Sequence, residues 1–299
     1  MNKYIQLTKP RIILLLTITG IVAYLIPSIE NIDFIDVIVF VLIGYCSAGG
    51  AMTINNIIDR DIDSLMERTK NRPTIGPDAL AVQKVFLFGS FLILLSLATS
   101  WFYFGIFTLI HISWGVFSYL LGYSLYLKRK SVLNTLLGGL ASPAPVWAGY
   151  AARYEMLNQI GAQIDTQMFL GVPIEGWLLG GLVFVWTPSH TWALSAKNMD
   201  DYARAGIPML PVKLGMEKTA LITMIFGIIS MIYGNVVSYI FISNYIVMLA
   251  LVIPNLLFLY GLIIFYRKPN VATATTSFKT HNIWLGIVFT IILIFIWTK

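Results

Sequence analysis

Apolar runs of 17 residues or more recur along this chain, at roughly 12–29, 35–56, 84–104, 107–127, 132–152, 173–194, 219–241, 244–266 and 282–298. Each is long enough to cross the hydrocarbon core of a bilayer, about 30 Å thick, as an α-helix. In lipid a backbone must satisfy its own hydrogen bonds, so runs of this kind fold as helices rather than as open segments. Hydrophobic residues make up 58% of the chain and charged residues 11%, against about a quarter charged in soluble domains. So much apolar surface needs lipid to hide it. The expected fold class is all-α: a polytopic membrane protein of about nine transmembrane helices, forming a single domain over residues 1–299.

The basic residues predict the orientation. With the N-terminus in the cytoplasm, all but two of the twenty lysines and arginines fall on the inner side, leaving Arg153 and Lys299 outside. The positive-inside rule therefore predicts an N-in/C-out topology. Lys3, Lys9, Pro10 and Arg11 lead straight into a full-length apolar run, which reads as a first span rather than a cleavable signal. No transit-peptide pattern precedes it, so the expected location is a prokaryotic plasma membrane, with the lipid bilayer as the main partner. The net charge of +6 is accounted for by topology and does not call for a nucleic-acid partner. Cys46, the one cysteine, rules out a disulfide within the chain and argues against a thiolate metal site.

Two inner loops, about 57–83 and 195–218, are long and polar. The first begins as the apolar run Val37–Ile54 ends: Asn55-Asn56-Ile57-Ile58-Asp59-Arg60-Asp61-Ile62-Asp63. On a helix, Asn55, Asp59 and Asp63 advance by about 40° per step and form one polar stripe about 12 Å long. Ionisable groups at a membrane span are expensive, and they mark function by default. Oxygen ligands in this number suit Mg²⁺, which takes one or two carboxylates plus substrate phosphates. Arg68 and Arg72, four residues apart, are candidates to hold phosphate oxygens. Asp61 points away from the stripe and is expected to pair with a neighbouring base. The bland alternative is a solvated helix end laced with ion pairs.

The second loop carries His190-Thr191-Trp192, then Lys197, Asp200, Asp201 and Tyr202, then Gly206-Ile207-Pro208-Met209-Leu210-Pro211. His190 and Lys197 are seven apart and share a helical face. Asp200 or Asp201 is a candidate for a second metal-binding position, the alternative being a loop acid at a helix end. Lys128-Arg129-Lys130 follows Tyr119, Tyr123 and Tyr126. For Lys130 this reads as the basic edge of a span with its aromatic belt, whereas Tyr123 and Lys128 have a stronger claim to a site. His111 reads as structural. His281, at the inner end of the last run, can be read either way. Residues 153–172 read as a solvated outer connector.

The block Asn55 to Pro73, NNIIDRDIDSLMERTKNRP, resembles the first aspartate-rich motif of the UbiA-type intramembrane prenyltransferase superfamily. The form DRDID followed by M-x-R-T-x-x-R-P resembles its protohaem IX farnesyltransferase (haem O synthase) branch. So do YSLYLKRKSVLNTLLGG, Tyr123 to Gly139, and HTWALSAKNMDDYARAGIPMLP, His190 to Pro211. The resemblance covers the chain from about Leu7 to about Trp284. Three departures stand out. Pro188-Ser189-His190-Thr191 replaces the usual P-P-H-F, His281 and Trp284 stand where a Ser and a Tyr are expected, and Asn56 occupies a position that is often Asp.

The resemblance implies a nine-helix bundle with a cytoplasmic cap around a membrane-open cavity. It implies an enzyme of the prenyltransferase class that moves a farnesyl group from farnesyl diphosphate to a vinyl group of haem b. Mg²⁺ is the implied cofactor, held by Asn55, Asp59 and Asp63 with help from Asp200 or Asp201. Arg68, Arg72, Lys128 and Lys197 would add positive charge as the diphosphate departs. Tyr123 and other aromatic faces would stabilise the allylic cation, which must be kept from water until the vinyl group attacks. Water then quenches the new cation, leaving a hydroxyethylfarnesyl group. His190 would orient haem, ligate its iron or assist proton transfer. A haem A synthase or a terminal oxidase is the implied assembly partner. Two rivals remain: a UbiA-type enzyme acting on a quinone precursor or lipid acceptor, and a transporter with acids at its midplane. The His190/Lys197 block disfavours the first. The position of the acids at the ends of spans, without repeated broken helices, disfavours the second.

Overall fold

The computed structural model describes residues 2–28, 32–162 and 167–298; the end of the first expected span and Lys299 lie outside them. In chain order the helices are α1 (Lys3–Thr8), α2 (Pro10–Leu25), α3 (Phe34–Ile58), α4 (Arg60–Ser64), α5 (Val82–Thr99) and α6 (Ile106–Phe117). Then come α7 (Lys128–Lys130), α8 (Asn134–Gly138), α9 (Ala144–Gln159), α10 (Ile174–Lys197), α11 (Met199–Arg204), α12 (Leu210–Ile242), α13 (Tyr245–Arg267) and α14 (Val271–Trp297). α5 runs on as a π-helical turn, Ser100–Phe104, and α6 as a longer one, Ser118–Leu127. Six of these helical stretches are long and apolar enough to cross a membrane: Phe34–Ile58, Val82–Phe104, Ile106–Lys130, Leu210–Ile242, Tyr245–Arg267 and Val271–Trp297. α2 is apolar but shorter.

Three expected boundaries move. The run 132–152 is not one helix. Gly138, Gly139, Pro143 and Pro145 interrupt it, so α8 ends at Gly138 and α9 starts at Ala144. The last helix begins at Val271, well before 282, because Asn270 and Thr273 cap it reciprocally. Its polar first turns fold their hydroxyls back on the helix, Thr275 onto Val271 O at 2.7 Å and Thr276 onto Ala272 O at 3.2 Å. The inner stretch 195–218 is no open loop either, since α11 and the first turns of α12 occupy most of it.

The chain divides into two compact units. The first comprises Met1–Tyr126 and Pro143–Gly180. Its core gathers Tyr24, Phe40, Ile43, Phe104, Ile112, Ala148 and Ala152. Tyr24 stacks on Phe40 with centroids 5.5 Å apart. α2 and α9 approach at Gly20 and Gly149, where a Cβ on Gly149 would run into the Gly20 carbonyl oxygen. Small residues allow such backbone contact between helices in lipid, where dispersion and polar contacts drive association.

Arg153 corrects the expectation of a solvated outer base. It lies in α9, is 1% exposed, donates to Ser28 O at 3.3 Å and sits over the Tyr24 ring at 5.7 Å. Residues 163–166 of the expected outer connector lie outside the described residues, and its described end, 167–172, is more ordered than its polarity implies. Met168–Phe169 pairs antiparallel with Val172–Pro173 through Leu170 and Gly171, both at positive φ, as a two-residue hairpin turn requires. His111 donates its Nε2–H to Leu170 O at 3.0 Å, a structural role.

The second unit comprises Leu127–Ser142 and Gly181–Lys299. It is built on α12, α13 and α14. Trp284, fully buried, stacks on Phe258 at 4.7 Å. Its indole donates to Asn255 Oδ1 at 2.8 Å, and Asn255 donates in turn to Asn235 Oδ1 at 2.9 Å. This polar chain ties three helices together where water is scarce.

Candidate functional site

In the first unit, α3 ends at Ile58 and α4 restarts at Arg60, with Asp59 at the break (φ −92°, ψ 5°). The helical register survives it. Asp59 N–H reaches Asn55 O at 2.9 Å and Asp63 N–H reaches Asp59 O at 2.8 Å. Asn55, Asp59 and Asp63 therefore stay on one stripe, at 3%, 1% and 1% exposure. That burial overturns the solvated-helix-end reading.

The stripe is internally bonded and flanked by cations. Asn55 Nδ2 donates to Asp59 Oδ2 at 2.8 Å and to Ser124 Oγ at 3.1 Å. Lys9 Nζ donates to Asn55 Oδ1 at 2.9 Å. Arg72 forms an ion pair with Asp63 Oδ2, and Thr69 Oγ donates to the Asp63 carbonyl at 2.9 Å. Taking two carboxylates out of water is costly unless charges and hydrogen bonds compensate, and Lys9 and Arg72 supply that compensation.

Not every expected residue joins the stripe. Arg68 is exposed and its guanidinium lies 3.8 Å from Met66 Sδ. After Ser64 the chain turns instead of continuing as helix, so Arg68 and Arg72 do not share a face. Asp61 is likewise exposed. Asn56, fully buried beside the stripe, is structural: its amide donates to Leu7 O at 3.1 Å and to Met52 O at 2.7 Å. Tyr123 is half-buried on the π-helical segment and stacks on Tyr119 with centroids 6.0 Å apart. Segments of this type recur at functional positions.

Sequence reading missed Lys9 and Ser124 as members of the site. Ser124 carries no local signal. Lys9 carries a faint one, because it precedes Pro10 and so cannot easily be helical. It adopts φ 53°, ψ 60°, a left-handed conformation unusual for a residue with a side chain.

In the second unit, α10 and α14 frame the other candidates. His190 is half-buried and lies between Trp186, stacked at 4.1 Å, and Phe278, tilted at 4.8 Å. Lys197 Nζ sits over the same Phe278 ring at 5.6 Å, so His190 and Lys197 do share a face. On α11 the two acids part ways: Asp200 is exposed, whereas Asp201 is 8% exposed and ion-paired with Arg204. Lys128 is buried, whereas Lys130 is exposed.

The donor chemistry of the stripe fits Mg²⁺: an amide oxygen and two carboxylates, all hard ligands, already flanked by the cations Lys9 and Arg72. Among the described residues no three His, Cys, Asp or Glu side chains are grouped so as to hold a metal ion by themselves. A closed cage is not what Mg²⁺ needs, because substrate phosphates and water complete its shell.

Residues 14–297 match the UbiA prenyltransferase family. A protoheme IX farnesyltransferase of Saccharolobus islandicus is 31% identical over 294 residues, covering 97% of this chain and 95% of the relative. A protoheme IX farnesyltransferase of Thermus thermophilus is 32% identical over 96% of this chain, yet the chain spans only 44% of that relative's length. Among solved structures, one from work on digeranylgeranylglyceryl phosphate synthase superposes with a TM-score of 0.75 at 19% identity, covering 99% of this chain and 98% of its own. A UbiA homolog from Archaeoglobus fulgidus bound to GPP and Mg²⁺ gives 0.67 at 17% identity, covering 97% and 99%. These two structures share the fold.

Proposed function

Because the chain belongs to the UbiA prenyltransferase family, we propose that it transfers a farnesyl group from farnesyl diphosphate to a vinyl group of protohaem IX, giving haem O, in a Mg²⁺-dependent reaction. The observation that carries the reading is the buried Asn55–Asp59–Asp63 stripe with its flanking cations. The acceptor is supported by the names of relatives that are 31% and 32% identical over most of this chain.

In this reading Asn55, Asp59 and Asp63 hold Mg²⁺, which when bound neutralises charge on the diphosphate leaving group. Asp200 and Asp201 are the remaining ligand candidates, and Asn substitutions at each decide between them. Arg72 donates to diphosphate oxygens as negative charge develops there, the kind of preorganised stabilisation that contributes most to such reactions; Arg68, Lys128 and Lys197 are the further candidates for that role. The faces of Tyr119 and Tyr123 shield the allylic cation from water and stabilise it. His190 is held by ring stacking and orients the acceptor. The enzyme sits in the plasma membrane with nine spans, N-in/C-out, and its chemistry faces the cytoplasm. A haem A synthase or terminal oxidase receives the product.

The test is a product assay. Purified protein in detergent receives haem b, farnesyl diphosphate and Mg²⁺, with Asp59→Ala and EDTA as controls, and pigments are read by mass spectrometry. A haem species heavier by one hydroxyfarnesyl unit, absent from both controls, is the expected result. Intact haem with folded protein would redirect the search to a quinone precursor or lipid acceptor. Product from Asp59→Ala would remove the stripe from the chemistry.

A further inference from the structure

Within the second unit, among the described residues, three buried polar side-chain atoms have no hydrogen-bond partner and belong to neighbouring residues: His190 Nδ1, Ser277 Oγ and His281 Nε2. Ser277 and His281 are each 0% exposed and lie one turn apart on α14. The His190 and His281 rings are 6.2 Å apart between centroids. His281 Nδ1 lies 2.7 Å from Ser277 O. A carbonyl only accepts, so Nδ1 carries the proton and Nε2 presents a bare lone pair. Buried polar atoms are nearly always satisfied, and a cluster of them is most simply satisfied by ordered water.

The cluster is also held firmly. Trp186 is 5% exposed, donates its indole N–H to the His281 carbonyl at 3.1 Å and stacks on His190. Phe278 backs the other side of His190, and Phe258 meets His281 edge-to-face at 4.6 Å. Aromatic rings thus wall the polar atoms while leaving them one partner short. A water molecule fits that need. It would donate to His281 Nε2 and accept from Ser277 Oγ–H, and His190 Nδ1 could engage it in either tautomer.

We propose that His190, Ser277 and His281 hold a single water molecule, and that this water is the nucleophile that ends the alkylation, with His281 as its proton acceptor. This rests on the function proposed above. Attachment of the farnesyl carbon to the outer vinyl carbon leaves a cation on the inner vinyl carbon, next to the porphyrin. A lone pair of the water oxygen forms the C–O bond. One O–H bond then breaks, its electron pair stays on oxygen, and the proton binds His281 Nε2. The net products are the secondary alcohol and one proton. A protonated alcohol is a far stronger acid than an imidazolium, so a neutral buried imidazole suffices. A stored water also reconciles two demands, since the site must exclude bulk water from the first cation and still deliver one water to the second.

Without that water, the second cation is quenched by losing a proton from the adjacent carbon. The product is then an alkene, lighter than the alcohol by one water. The experiment compares wild type with His281→Phe, His281→Gln and Ser277→Ala, reading diphosphate release and the alcohol-to-alkene ratio of the haem adduct by mass spectrometry. His281→Phe is expected still to release diphosphate while the ratio falls about tenfold or more, within the range that one general base supplies. His281→Gln, whose amide oxygen can accept from water, restores part of the alcohol. If His281→Phe does not fold, Ser277→Ala carries the same test, with the same direction of change. A wild-type ratio in either folded variant overturns the proposal, as does loss of all adduct. Absence of any haem adduct from the wild-type protein overturns instead the function on which the proposal rests.

Discussion

The Lys9 ammonium donates to Asn55 Oδ1 at 2.9 Å, across 46 residues of sequence. It thereby occupies the same oxygen that the metal is proposed to use. One oxygen cannot comfortably serve a lysine and a divalent ion together, because two cations at that separation repel strongly in a low-dielectric pocket. Lys9 is held in place by a left-handed backbone between α1 and α2, a conformation that costs about 1–2 kcal/mol and persists only when surrounding contacts enforce it. A lysine placed this way would compete with the metal for that oxygen and could turn to the diphosphate once the metal is bound.

Lys9→Met should therefore tighten Mn²⁺ binding measured without diphosphate, by removing a competing charge. The same change should raise KM for the prenyl diphosphate about tenfold, the loss of one charge-assisted hydrogen bond. Mn²⁺ titration followed by electron paramagnetic resonance checks the first effect and steady-state kinetics the second. Weaker Mn²⁺ binding in this variant would refute that competition.

Arg72 and Asp63 should be strongly coupled. The carboxylate side chain is 2% exposed and the guanidinium side chain 20%, so Arg72→Ala leaves a buried negative charge and should cost about 3 kcal/mol of stability. The double variant Arg72→Ala, Asp63→Asn should lose less than the sum of the single changes. Thermal unfolding in detergent of the four proteins closes this cycle. Additive losses would mean the pair carries no coupling.

Gly149 is fixed by packing. A Cβ there meets the Gly20 carbonyl, Tyr24 N at 2.9 Å and Ala23 Cβ at 3.0 Å, all on α2. Gly149→Val should force the two helices apart and cost about 3 kcal/mol, at the upper end of overpacking penalties. Gly149→Ala should cost less. Unfolding midpoints in a single detergent measure both, and a wild-type midpoint for the valine variant would exclude the contact.

Glu155 acts as an N-cap from a different helix. Its carboxylate accepts from Phe107 N at 2.8 Å, from Thr108 N at 3.0 Å and from Thr108 Oγ at 2.5 Å, satisfying the first turn of α6. Negative charge is favoured at that end of a helix. Glu155→Ala should cost about 2 kcal/mol, and Glu155→Gln roughly half of that, because one oxygen remains to accept. Hydrogen exchange at Phe107 and Thr108 should rise in step with the loss; unchanged protection would show that the helix start is held by other contacts.

Apolar length alone determined that this chain is helical and bound for a membrane, because a helix satisfies its backbone locally whatever surrounds it. The Asn55–Asp59–Asp63 stripe was legible for the same reason: a spacing of four is a local property, and it survived even the break at Asp59. So was the shared face of His190 and Lys197, now seen with Phe278 against both. What the sequence left open depends on contacts between distant segments. Hydropathy joined 132–152 into one span and left the polar first turns out of α14, since it weighs side chains one at a time and ignores caps and helix breakers. Arg153 looked like an outer base until tertiary packing buried it on Tyr24. Only the folded chain brings Lys9 to Asn55, Ser124 to the same amide, and His190 beside His281. Such pairings are set by which helices pack together, and no periodicity within one segment encodes that.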